Sequence, residues 1–320
     1  MEKSIYKVDE FMEDYQIKTP VVMMVFNRPE NTKKVFEQVQ KVKPKQLFVI
    51  ADGPRKENKK DIEMCKKTRE IFEKVDWKCE VYKNFSQENL GCAKRGYTGF
   101  SWVFENTEQA IILEDDCMPH ISFFRYCDEL LEKYKNDTRI MLISGTNQLG
   151  KWEKSKYSYH FSKFGGIWGW ASWKRAWDYY DFDIKLWNDQ NIKKLLKEKL
   201  NFFQYISRKS IYDDIYKKQA KFSSWAYQWG FARIIQSGLA ISPSVNLITN
   251  IGAGENATNT KTKSKVSNLP LYNMEFPLKH PPYIICDNEY DKKMYNKISG
   301  SNYRITKNYL SRKLRNFKER

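Results

Sequence analysis

The sequence predicts an α/β fold with a mostly parallel central sheet flanked by helices. Three observations predict it. Short apolar runs alternate with amphipathic stretches through the first half of the chain. Turn residues close each apolar run. The residues with the most chemistry in them come directly after those runs, and sheets of this class bind ligands beyond the carboxyl ends of their strands.

The elements follow in order. "VVMMVF" (21–26) reads as a strand and "NRPEN" as its turn. "ENTKKVFEQVQKV" (30–42) places Val35, Val39 and Val42 on one side, the spacing of a helix. "QLFVIA" (46–51) is a second strand ending in the turn "DGPR", and 58–74 reads as a helix. "KCEVYKN" (78–84) is a third strand, and 89–106 is a loop leading into a helix. "QAIILE" (109–114) is a fourth strand. In 121–134, Phe124, Cys127 and Leu131 share a helical face, and "IMLISG" (140–145) is a fifth strand. The second half is less regular, with aromatic and glycine-rich segments at 164–177 and 223–235 and a polar loop over 243–265. Loops that long are usually functional or disordered. The basic segment 302–320 carries Leu310, Leu314 and Phe317 on one helical face.

The 320 residues allow one large or two ordinary domains, and 41% hydrophobic with 15% aromatic content excludes a mainly disordered chain. The net charge of +17 favours anionic partners without choosing among them. No secretory signal or membrane-length apolar run is visible, so a soluble cytoplasmic protein is expected. The six cysteines form no CxxC pair and are expected to be reduced and mostly buried. The GxxxxGK[ST] and GxGxxG phosphate motifs are missing, which argues against P-loop enzymes and dinucleotide-binding dehydrogenases.

The fourth strand ends in three acids, Glu114, Asp115 and Asp116. Adjacent carboxylates raise one another's pKa, so such a cluster needs a partner. A hard divalent cation shared with a diphosphate is one, since Mg²⁺ or Mn²⁺ takes one or two carboxylates plus phosphate oxygens and waters. The other reading makes Asp116 the cap of a helix opening near 120.

"VFNRPENT", "IADGPR", "NLGCAKRG", "IILEDDCMPHISFFRYCDELLEKY", "FGGIWGWASWKRAW", "SWAYQW" and "NLITNIGAGENAT" stand in this order. Over roughly 19–290, the chain resembles bacterial nucleotide-diphospho-sugar glycosyltransferases of the GT-A fold. These are distantly similar to N-acetylglucosaminyltransferase I and are often labelled hemolytic-protein-like. The resemblance implies a donor-binding half (1–120), an acceptor half (121–290) and a basic tail (291–320). It implies a metal-dependent hexosyl- or N-acetylhexosaminyltransferase that uses Mn²⁺ or Mg²⁺ and a nucleotide-sugar, most simply UDP-linked. The acceptor would be a surface glycan, a lipid-linked sugar or a protein glycan, with inversion at the sugar.

By the same resemblance Asp116 contacts the metal, while Asp115 and Glu114 face the ribose or donor sugar. Asn27 and Arg28 flank the nucleotide, and Asp52 accepts from a uracil N–H, with an Asp-Gly turn as the alternative. Arg55 and Lys94 or Arg95 reach phosphate, with a solvated surface as the alternative. Asn89 and Gly91 form a tight loop near the base. Gly166 and Trp168 line the sugar pocket, with core packing as the alternative for Trp168, whereas Trp173 and Trp177, at i and i+4, fit a buried helix face. The general base is displaced: Ala226 stands where related chains carry Asp. Glu255 is the first substitute, then Asp213 and Asp214, each with a plain surface acid as the alternative. Asn259 stands where relatives often have His, and His280 is read as structural. The basic tail is expected at an anionic membrane face, or else as a free surface tail. Two further readings stay open: an inactive sugar-nucleotide-binding subunit, and, from the charge and aromatics, a nucleic-acid-binding protein. The even spread of lysines and the lack of RRM, KH or zinc-finger signatures weigh against the last.

Overall fold

A computed structural model of the chain describes residues 15–218, 224–252 and 268–299. Glu255, Asn259 and the 302–320 tail lie outside the described residues.

The first half alternates as expected: β1 (Val21–Val25), α1 (Pro29–Val42), β2 (Gln46–Ala51), α2 (Lys59–Glu70), β3 (Glu80–Phe85), α3 (Gly91–Asn106) and β4 (Gln109–Glu114). Proline at its start and a left-handed Lys43 at its end (φ 44°) bound α1, where the Lys43 N–H returns to the Val39 carbonyl. The β1–β2, β2–β3 and β1–β4 pairs are all parallel. Met24 stands opposite both Ile50 and Glu114, so these strands reach the same edge together.

The chain then departs from the sequence reading. Residues Cys117–Pro119 form a short strand, β5, and α4 starts only at Ser122 (Ser122–Lys133). Asp116 is therefore not a helix cap. β5 pairs antiparallel with β10 (Ile248–Asn250), which draws the end of the second half over the acidic cluster. The second half is also more regular than its composition suggests. It adds β6 (Ile140–Ser144), β7 (Tyr159–Ser162), β8 (Trp170–Trp173), α5 (Lys174–Trp177), α6 (Gln190–Lys199), α7 (Phe202–Tyr216), α8 (Ala226–Ile235), β9 (Leu239–Pro243) and α9 (Asn288–Ser299). Eight strands join one sheet in the order β3-β2-β1-β4-β8-β6-β9-β7. β8 runs antiparallel between β4 and β6, and β7 runs antiparallel to β9. Trp173 thus ends a strand and Trp177 ends a one-turn helix; both are buried, but they share no helix face.

The two faces of β1 show why its run is apolar throughout. Val21, Met23 and Val25 pack in the core that includes α1 and α4 residues. Val22 and Met24 pack on the other face with Phe100, Trp170, Trp225 and Trp229. A strand buried on both faces has no polar alternation to offer. Among the described residues no helix is long and apolar enough to cross a membrane.

One buried acid ties the N-terminal segment to α4. Asp128 accepts from the Thr19 N–H (2.9 Å), the Thr19 hydroxyl (2.5 Å) and the Tyr15 hydroxyl (2.6 Å). Asp128→Ala leaves the buried Thr19 donors unpaired, and urea denaturation should show a loss of about 2–3 kcal/mol. His160 on β7 gives a pH signature. Burial pushes its imidazole down from 6.5 to about 4, with Asp287 opposing, and neither ring nitrogen has a partner among the described residues. Its unfolded form binds the proton first, so its stability contribution is complete above pH 6.5 and is lost as the pH falls toward 4. The urea midpoint should drop across that window by less in His160→Phe than in the unmutated chain.

Candidate active site at the carboxyl edge of the sheet

The parallel strands β1, β2 and β4 deliver their following residues to one cleft. Arg28, Asp52, Arg55, Asn89, Gly91, Arg95, Glu114, Asp115 and Asp116 all line it, together with Cys92 and Gly252. Asn27, Gly166, Trp168, Asp213 and Asp214 are not among its lining residues.

The acids are held by one guanidinium. Arg28 donates through Nη2 and Nε to Asp115 and through Nη1 to Asp116 (2.9 Å). Asp115 also accepts from the Phe26 N–H (3.2 Å), and its own N–H binds the Met24 carbonyl (3.0 Å). Burial works against the Arg28 charge, but Asp115 and Asp116 hold the guanidinium above its ordinary range. Burial lifts Asp115 to about 6 against the pull of Arg28. Glu114, which lines the cleft and is half-buried, is lifted to about 8, first by desolvation and then by Asp116 and Asp115. The repulsion implicit in the sequence is eased by Arg28, which pairs with both aspartates.

Asp52 takes a different place from the one expected. Its two oxygens accept from the Gly53, Leu90 and Gly91 N–H groups and from the Asn89 side chain, at 2.9–3.0 Å. Four donors fill its lone pairs, so it clamps the loop before α3 rather than waiting for a base N–H. Gly53 allows this approach: a Cβ there would stand 2.5–2.6 Å from the backbone of Glu88. Asn27 and Arg55 are drawn onto Asp61, a buried acid in the first turn of α2 (2.8 Å from Asn27 Nδ2, 2.5 Å from Arg55 Nε). Arg95 is buried and binds the Asn84 carbonyl and side chain, with its Nε unpartnered among the described residues. The sequence reading had passed over Asp61, although an acid six residues beyond Arg55 at a helix start was the available sign.

The expected sugar-pocket residues sit elsewhere. The Gly166 backbone approaches the Thr146 hydroxyl so closely that a Cβ has no room, and Trp168 packs against the core on the α1–α4 face. Asp213 on α7 accepts from the Trp187 indole (2.9 Å) and Lys209. Asp214 follows it on the same helix. Ala226 opens α8 just after Trp225. Trp225 is fully buried, stacks on Trp170 (centroids 5.2 Å apart) and lies beside Glu114. Burial and the neighbouring acids keep the Cys92 thiol protonated.

Asp116 is the carboxylate that suits a metal. Its Oδ2 accepts from Arg28, while among the described residues its Oδ1 meets only the weakly donating Cys117 thiol (3.5 Å). Among the described residues no three His, Cys, Asp or Glu side chains converge on one point. The donor set therefore fits a hard cation that brings phosphate and water as its other ligands, not one caged by protein alone. Gly252 closes this corner. A Cβ at Gly252 would collide with Asp116, and the Ile251 N–H binds the Asp116 carbonyl (2.8 Å).

No family model matches the chain, and no curated protein matches it. Three solved structures illustrate what it is similar to. A mannosyltransferase from Pyrobaculum calidifontis, in complex with GDP-Man and Mn²⁺, aligns at 11% identity over 52% of this chain and 47% of its own, with a TM-score of 0.37. The chain thus spans about half the length of that protein. A 4-diphosphocytidyl-2C-methyl-D-erythritol synthase from Anaerococcus prevotii aligns at 10% over 75% and 94%, TM-score 0.38. Mouse xyloside xylosyltransferase 1 in its apo form aligns at 11% over 68% and 81%, TM-score 0.34. At scores this low, function rests on the residues of the cleft.

Removing Arg28 tests its role directly. Arg28→Met leaves Asp115 buried beside Asp116 without a counter-charge, and denaturation should show a loss of about 3 kcal/mol. Arg28→Lys, which keeps one charge but not the fork, should recover only part of it.

Proposed function

We propose that the chain is a transferase acting on a nucleotide-diphospho-sugar, with the cleft as its donor site. One observation carries the reading: Arg28, Asp115 and Asp116 converge at the carboxyl edge of parallel strands, beside the first turn of the 16-residue helix α3. That combination suits a diphosphate. The acids suit the cation that accompanies phosphate, and the dipole of α3 favours negative charge near its start, where Asp52 already takes the Leu90 and Gly91 N–H groups. The seven-segment resemblance to GT-A glycosyltransferases points the same way.

In this reading Asp116 would hold Mn²⁺ or Mg²⁺, with Arg28 fixing its carboxylate through Oδ2. The ion would supply Lewis-acid stabilisation of the leaving diphosphate. Arg28 and Asp115 keep Asp116 oriented. Glu114 lines the cleft and is placed to hydrogen-bond a donor hydroxyl. Asp52 and Asn89 shape the loop against which a base would lie. Residues 1–120 serve the donor and 121–290 the acceptor, a glycan or lipid-linked sugar. The basic tail would hold the chain at the cytoplasmic face of an anionic membrane.

An inverting transfer needs a carboxylate to take the acceptor proton. Asp52 has no lone pair to spare, and Asp213 and Asp214 are not on the cleft lining, so Glu255 is the remaining candidate from the sequence. Ala226 favours a second reading, in which the chain binds the sugar-nucleotide but does not transfer from it.

UDP release from a panel of UDP-sugars with Mn²⁺ decides between them. A transferase should release UDP slowly from one donor, and Asp116→Ala should lower that rate at least 100-fold. If UDP with Mn²⁺ raises the melting temperature but no donor is cleaved, the chain is a binder. If neither occurs, the donor-site reading fails.

A further inference from the structure

Asn89 carries an idle acceptor in the wall of the cleft. It stands just before the start of α3 and is among the lining residues. Its Nδ2 donates to Asp52 Oδ2 (3.0 Å) and to the Gly53 carbonyl (2.9 Å). Both partners only accept, so the amide stands one way round, with both of its N–H groups spent. Its Oδ1 accepts no hydrogen bond among the described residues. That oxygen is free to meet a donor from outside the chain.

The other polar groups of the cleft are committed to protein partners. Asp52, which the sequence favours for a base N–H, has both oxygens filled by four donors. Arg28 takes Asp115 and Asp116. Arg55 and Arg95 carry donors only, and each turns onto the protein, Arg55 to Asp61 and Arg95 to Asn84.

There is room beside Asn89. Gly91, two residues on, lines the same cleft, and a Cβ there would meet no atom within 4 Å among the described residues beyond its own helix and chain neighbours. The cleft has a volume of about 140 Å³, roughly ten times what a single water needs. Met24, Val25 and Phe26 give it an apolar wall, which suits the face of a planar base.

We propose that Asn89 Oδ1 reads the base of the donor nucleotide by accepting its ring N–H. The inference rests on the donor-site reading and deepens it. Uracil and guanine carry such an N–H. The matching ring nitrogens of cytosine and adenine are acceptors, and would face the amide oxygen lone pair to lone pair. Asp52 enforces the choice: it pins Nδ2, so the amide cannot turn to offer a donor instead. Asp52 is thus a positioning residue, and the cleft takes UDP- or GDP-linked sugars over CDP- or ADP-linked ones.

Isothermal titration of the full chain with UDP, GDP, CDP and ADP, each with Mn²⁺, tests it. UDP or GDP should bind about 10-fold or more tightly than CDP and ADP, and the tighter of the two names the base. Methylating the ring N–H of that nucleotide, as 3-methyl-UDP or 1-methyl-GDP, should weaken binding by about 10-fold or more. In Asn89→Ala, with folding checked by circular dichroism, the methyl penalty should fall below about 3-fold. Asn89→Ser keeps a hydroxyl that can donate to Asp52, and gives the same reading if the alanine variant does not fold. If no nucleotide binds, the donor-site reading fails and this inference with it. If CDP or ADP binds best, if the methylated nucleotide binds as well as its parent, or if the methyl penalty survives in the Asn89 variants, the donor site stands and the inference is overturned.

Discussion

The fork of Arg28 across Asp115 and Asp116 is the interaction on which the cleft depends. β4 ends in three acids, and Met24, opposite Glu114, fixes how far β1 extends beside them. Arg28 comes from the turn that follows β1 and caps the start of α1, where its carbonyl accepts from the Thr32 N–H (3.0 Å). One residue therefore joins three things: the end of a strand, the start of a helix and the neutralisation of a buried acid. Its geometry also separates the two aspartates: Arg28 and the Phe26 N–H occupy both oxygens of Asp115, while Arg28 takes only Oδ2 of Asp116.

Much of the first half was legible because its strands and helices obey simple periodicities. α1 could be drawn from Val35, Val39 and Val42, and its core face is the observed one. The gathering of cleft residues was legible too, since each follows a strand whose direction the alternation fixes. What could not be read was pairing between side chains far apart in sequence. Nothing in "IADGPR" says that Asp52 will spend its oxygens on residues 89–91, or that Arg55 will turn to Asp61. Asp116 looked like a helix cap because its antiparallel partner, β10, lies more than 130 residues away in the chain.

The second half resisted for another reason. Its aromatic segments do not alternate cleanly because they are buried from several sides at once. Trp170 meets Phe100, Trp177 and Trp229, drawn from three helices, and Trp225, which directly precedes the last of them. Such a residue has no polar face to reveal its period. The antiparallel β8 is likewise invisible locally, since its neighbours β4 and β6 are set by the topology of the whole sheet.

The saturated carboxylate of Asp52 has a consequence for how this chain can vary. Asn89 also donates to the Gly53 carbonyl (2.9 Å), so the two loops share a closed set of bonds. Gly53 has no space for a side chain, and Gly91 takes a positive φ of 76°. A drift at any one of these four positions strands the others, while a simultaneous exchange need not. Asp52, Gly53, Asn89 and Gly91 should accordingly be inherited as a block in descendants of this chain, whatever base or sugar those descendants come to select.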